Sequence, residues 1–174
     1  MELTLLRSTL PTTLIILLLF SAARRSAARH RAIDRPGFAA PQQARDAVSA
    51  SLGAARGALA LVARSSGDGP RAPAPPEAAA LGDCAVALGD AVAQLQRSLD
   101  ALGKLPRARP WAEVDDAETW VSAALTDENM CAQGFAAVEG EGEVKSAVAR
   151  GVADAAERTS NALALINGLR TTAP

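Results

Sequence analysis

The stretch VDDAETWVSAALTDENMCAQGFAAV, residues 114–138, decides how this chain folds. Within it Val114, Ala117, Val121, Ala124, Glu128, Cys131, Phe135 and Val138 recur in alternating steps of three and four. That spacing lines one face of an α-helix. Worked outward, the same rule finds three further stripes. Residues 41–65 align Val48, Leu52, Ala55, Leu59 and Val62, and residues 77–104 align Leu81, Cys84, Leu88, Ala91, Leu95, Ser98 and Leu102. Residues 143–169 align Val148, Val152, Ala155, Thr159, Ala162, Ile166 and Leu169, and the third helix is expected over 112–138. Between the stripes stand breakers: Ser65 to Pro70 with Pro73, Pro75 and Pro76, then Pro106 and Pro110, then Gly140-Glu141-Gly142. An isolated amphipathic helix leaves its apolar stripe in water, and packing four together buries all of them. The expectation is an all-α, antiparallel up-down-up-down four-helix bundle over residues 41–170. A short N-terminal arm or degenerate helical hairpin would precede it.

Composition agrees. The 174 residues suit one domain. Hydrophobic residues make up 49% but aromatics only 3%, with no Tyr, and Ala supplies much of the apolar content. Ala has the best helix propensity, and strand-favouring aromatic residues are scarce. Eighteen Lys and Arg against 19 Asp and Glu leave the charge near zero, so no nucleic-acid partner is expected.

At the N-terminus, Arg7 precedes the apolar run Leu14 to Phe20, and Ser21-Ala22-Ala23 supplies small residues for cleavage. This is the layout of a secretory signal peptide over residues 1–23. An uncleaved anchor is the alternative, since Arg24, Arg25, Arg29 and Arg31 follow at once. Residues 24–40 read as a flexible arm. Cleavage would leave no stable membrane association, and export would make a disulfide ordinary.

The chain has two cysteines, Cys84 and Cys131, each on a helical stripe. Facing residues of an antiparallel hairpin lie equally far from its turn. The midpoint of this pair falls between Arg107 and Ala108, inside the Pro106–Pro110 breaker, which was placed without reference to the cysteines. The register therefore brings them level and predicts a Cys84–Cys131 disulfide. Two unpaired buried cysteines are the plainer alternative.

Other residue groups offer less. His30 is the single histidine and stands in the basic arm, so no His-based nucleophile or zinc set can be assembled around it. Glu113, Asp115, Asp116 and Glu118 sit in the first turns of a helix, where the dipole favours negative charge. Asp127 and Glu128 lack a third metal ligand. Trp120 is one position off the stripe and reads as a partly buried flank, and Asn161 reads as a buried polar residue. No catalytic residue, cofactor or metal is expected, and no Asn-x-Ser/Thr site occurs.

Three ordered segments carry a resemblance. Leu81-Gly82-Asp83-Cys84, Gly89-Asp90-Ala91-Val92 and Leu95-Gln96-Arg97-Ser98-Leu99 are similar to a bundle helix of the plant invertase and pectin methylesterase inhibitor family. Thr119-Trp120-Val121-Ser122-Ala123-Ala124-Leu125-Thr126, with Cys131 and Gly134-Phe135, resembles the family's next helix, and Thr159 to Ile166 its last. The resemblance covers residues 41–170. It implies a secreted cell-wall (apoplastic) protein with no catalysis of its own, binding pectin methylesterase reversibly one-to-one over the active-site cleft. Inhibition of cell-wall or vacuolar invertase is the alternative within the family, and a non-inhibitory membrane-tethered bundle the alternative outside it. The family's Pro-Lys-Phe motif of invertase inhibitors is absent from Lys104 to Trp111, which favours the methylesterase.

The resemblance also makes Asp90, Ser122, Thr126 and Met130 candidate target-interface residues. Periodicity alone gives them no role, although Ser122 and Thr126, four apart, share one helix face. Two departures stand out. The family's first cysteine pair has no counterpart between Arg24 and Gln43, and Met130 stands where relatives usually carry Thr.

Overall fold

The computed structural model describes residues 39–67, 73–105, 110–138 and 142–171. The expected signal peptide, most of the arm and the Pro106 turn centre lie outside these residues. Four long helices are described: α1 Ala39–Ser65, α2 Pro75–Gly103, α3 Pro110–Ala136 and α4 Glu143–Thr171.

The observed boundaries differ from the sequence reading where proline was taken as a breaker. Pro75 opens α2, with Ala74 extended ahead of it, and Pro110 opens α3. The first helical position lacks an intrahelical partner for its N–H, and the fixed φ of proline suits it, so proline starts these helices as readily as it ends others. Residues Ala39 and Ala40, assigned to the arm, already belong to α1. At the other end α2 closes with the Lys104 N–H donating to the Ala101 carbonyl at 3.0 Å. Helix α3 stops at Ala136, so Val138 lies beyond the helix and is only half-buried.

The stripes become the core. Leu81, Leu88, Leu95 and Leu102 of α2 are wholly enclosed, as are Val121 of α3 and Val152 and Ile166 of α4. Two adjustments occur. Leu59 is half-buried, and the smaller Ala58 takes the inward place on α1. Asn161, expected inside, is exposed. Thr159 and Ala162 hold the inward line of α4, and a residue two positions from Thr159 is carried about 200° around the helix.

The core has two parts. One gathers Ala44, Val48, Leu52 and Ala55 of α1 with Ala91, Leu95, Ala101 and Leu102 of α2. Val114, Ala117, Val121 and Ala124 of α3 and Ala162, Ile166 and Leu169 of α4 complete it. The other gathers Ala58 and Val62 of α1, Leu81, Cys84 and Leu88 of α2, Cys131 and Phe135 of α3, and Val148 and Val152 of α4. Each part takes the beginning of two helices and the end of the other two. Alternating direction is what an antiparallel up-down-up-down bundle requires.

Small side chains allow close approach. A Cβ added to Gly151 of α4 would stand 3.4 Å from Leu61 Cδ2 and 3.9 Å from Ala58 of α1. By length and composition α1 and α2 are long and apolar enough to cross a membrane. In the bundle, each buries its apolar seam against the other helices.

Candidate functional site

Helix α2 packs along α3, and α3 along α4. The hairpin is joined covalently. Cys84 and Cys131 form a disulfide with their Cα atoms 4.5 Å apart, within the spacing a bridge requires. Both cysteines are buried in the second core cluster. No free cysteine remains among the described residues.

Further cross-links fix the register along the pair. The Ser98 hydroxyl donates to the Ala117 carbonyl at 3.2 Å, and this pair has the same midpoint as the two cysteines. Gln94 Nε2 donates to Asp127 Oδ2 at 2.9 Å. The Arg97 guanidinium lies 4.6 Å from the centroid of the Trp120 ring, a cation–π contact. Trp120 is half-buried, as its place beside the stripe predicted. Neither Gln94 nor Arg97 stood out in the sequence. The register from the cysteines sets Arg97 opposite Glu118, within one helical turn of Trp120.

Asp90, Ser122, Thr126 and Met130 are all exposed on this hairpin. The shared register brings Asp90 of α2 level with Thr126 of α3. Met130 is 60% exposed, one of few large apolar side chains so presented, and Val86 at 69% stands near its level on α2. The Thr126 hydroxyl donates to the Ser122 carbonyl at 3.0 Å, a bond within its own helix. The Thr119 hydroxyl does the same to Asp115 at 2.8 Å. Such bonds leave a hydroxyl oxygen able to accept a further donor.

The acidic cluster at the start of α3 is tied into the bundle rather than gathered into a site. Arg170 of α4 pairs with Asp115, and with Glu118 at 2.8 Å. Lys104 lies 3.5 Å from Glu113. Asp127 is engaged by Gln94, and Glu128 is buried away from it toward α4. The Thr159 hydroxyl donates to Glu128 Oε1 at 3.0 Å. Among the described residues no three His, Cys, Asp or Glu side chains converge as a metal would require. The arrangement offers a rigid, exposed, mixed polar and apolar face, suited to contacting another macromolecule.

The chain is also similar to known proteins. A family model described as plant invertase/pectin methylesterase inhibitor matches residues 22–165. The chain belongs to this family. Among curated relatives, pectinesterase inhibitor 10 of Arabidopsis thaliana is 45% identical over 94 residues, 52% of this chain and 30% of the relative. Pectinesterase inhibitor 3 of the same plant is 39% identical over 102 residues, 55% of this chain and 49% of the relative. The chain thus spans half the length of these relatives or less. The crystal structure of a pectin methylesterase inhibitor from Arabidopsis thaliana has the same fold, with a TM-score of 0.61 at 18% identity. That match covers 75% of this chain and 78% of the other.

Proposed function

We propose that this protein is a secreted inhibitor of pectin methylesterase, acting in the cell wall. It binds the enzyme reversibly and one-to-one, and covers the active-site cleft with the exposed face of the α2–α3 hairpin. Inhibition comes from steric exclusion with polar complementarity, and needs neither a cofactor nor catalysis by the inhibitor. Family membership over residues 22–165 carries this reading, and relatives named as pectinesterase inhibitors support it. The hairpin suits the task physically. A face held by a disulfide, a cross-helix hydrogen bond and a cation–π contact loses little freedom on binding, and such preorganisation raises affinity.

Within that face Asp90 supplies a charge for a basic or hydrogen-bonding partner, while Ser122 and Thr126 supply hydroxyls. Met130 supplies an adaptable apolar contact in place of the family's usual Thr. Titrating the purified protein against a plant pectin methylesterase and a cell-wall invertase, at mildly acidic pH, tests the assignment. A stoichiometric fall in methylesterase activity, with invertase unaffected, is the expected outcome. Loss of invertase activity alone would reverse the choice of target. Two unaffected enzymes at micromolar protein would defeat the inhibitor reading.

A further inference from the structure

Glu128 is the one charged residue among the described residues to be wholly enclosed. It lies on α3 between Ala124, in one half of the core, and Cys131, in the other. Its partner is the equally enclosed Thr159 of α4. The Thr159 hydroxyl donates to Oε1, whereas Oε2 is buried with no hydrogen-bond partner. A carboxylate in this position would carry an uncompensated charge on Oε2. A protonated acid places its hydrogen there and remains neutral, which costs far less in an apolar interior.

The surroundings offer a carboxylate no relief. On α3 itself the neighbouring charge is Asp127, of the same sign and occupied by Gln94. The charged residues nearest Thr159 on α4 are Glu157 and Arg158, both exposed, and Arg158 pairs with Asp154 at 2.9 Å. At the junction of the two core halves α1 presents Ala55 and Ala58, and α2 presents Leu88 and Ala91. The charges of these two helices that flank the junction, Arg56, Asp90 and Arg97, are exposed, and Arg97 lies over Trp120. No buried cation is found among the described residues.

We propose that Glu128 and Thr159 form a proton-operated latch between α3 and α4, closed while the Glu128 carboxyl is neutral and loosened when it ionises. In the closed state the Thr159 hydroxyl donates to the carbonyl-like oxygen of a neutral acid, and the two core halves pack around it. Ionisation releases the proton to water and leaves a charge between two apolar clusters. The middle of the bundle must then admit water or part. Burial, the largest influence, pushes the Glu128 carboxyl up from 4.5 to about 7. The Thr159 hydrogen bond pulls it back, and Asp127 pushes it up again. Because the folded value lies above the unfolded one, the stabilisation is full below about 4.5 and is lost as pH rises through about 7. The latch concerns the response of the fold to protons and stands whichever enzyme the protein binds.

Two measurements on the disulfide-bonded protein test it. The first follows the Glu128 side-chain carboxyl carbon by NMR across pH 3–9 in the wild-type chain. A midpoint near neutrality is expected, and an ordinary carboxylate midpoint near 4.5 overturns the proposal. The second compares melting temperatures of wild type and Glu128→Gln, which keeps the shape and cannot ionise. Their difference should change by roughly 5–10 °C between pH 4.5 and 8, with wild type losing ground as pH rises. Parallel profiles overturn the latch. Should the variant not fold, the wild-type NMR titration decides alone.

Discussion

The two halves of this core are built differently. The half around Cys84 and Cys131 contains Phe135, Leu81, Leu88, Val62, Val148 and Val152, and has a covalent bond through it. The other half is rich in alanine, with Ala44, Ala55, Ala91, Ala101, Ala117, Ala124 and Ala162 among its members. It is held instead by close approach of small side chains, by Ser98 bonded across to Ala117, and by Arg170 reaching Asp115 and Glu118. A bridge acts chiefly on the unfolded chain, whereas packing and ion pairs act on the folded one. The same four helices are therefore secured by two kinds of physics, one at each end.

The comparison can be broken most forcefully by reduction. The bridge joins residues 47 apart, and closing such a loop is worth about 4 kcal/mol in the loop-entropy model. The sequence has two cysteines, so no second bridge within the chain shares that burden. Reducing Cys84–Cys131 should lower the melting temperature by well over 5 °C, with amide exchange rising first around Leu81, Phe135 and Val148. An unchanged melting temperature after reduction would show that packing alone holds the cysteine half.

Leu95→Ala probes the opposite half. Leu95 is fully enclosed in the alanine-rich half, where the many short side chains have little length to fill the cavity left behind. A loss of about 3 kcal/mol is expected, read by chemical denaturation of the oxidised protein. A loss below about 1 kcal/mol would mean that the alanine-rich half collapses to close the gap.

Arg170→Ala should matter far less. Its side chain and that of Asp115 are about half exposed, so water screens the pair, and about 0.5 kcal/mol is expected, vanishing at high salt. A salt-independent loss would indicate that the aliphatic stem, not the charge, secures this end. Met130→Thr has the smallest expected effect on folding, within about 0.5 kcal/mol, because the side chain faces solvent. If Met130 lies at the target interface, the same substitution will shift the inhibition constant against pectin methylesterase. Identical inhibition by both forms would remove Met130 from the interface.

Much of this architecture is legible in the residues themselves. Alternating steps of three and four locate four helices because a 3.6-residue turn returns to one face only at those steps. The midpoint of Cys84 and Cys131 coincides with a proline-bounded breaker because antiparallel neighbours pair symmetrically about their turn. The motif around Trp120 and Cys131 carries the family. What the pattern could not supply is depth. Asn161, expected inside, is turned to solvent by the helix, and the steps of three and four ran through Leu59 rather than Ala58. The position that faces the neighbouring helix, however, belongs to the smaller residue.

The sequence by itself determined the four described helices, their direction and the bridge between Cys84 and Cys131, since these follow from local periodicity and chain symmetry. Only the tertiary structure decided that Glu128 is sealed between the core halves with Thr159 as its partner, and that Gln94 and Arg97 stitch α2 to α3. Periodicity gives a residue's angle about its own axis. Enclosure and partnership depend on how near the neighbouring helices come and which atoms they place there, and that is settled only when all four pack together.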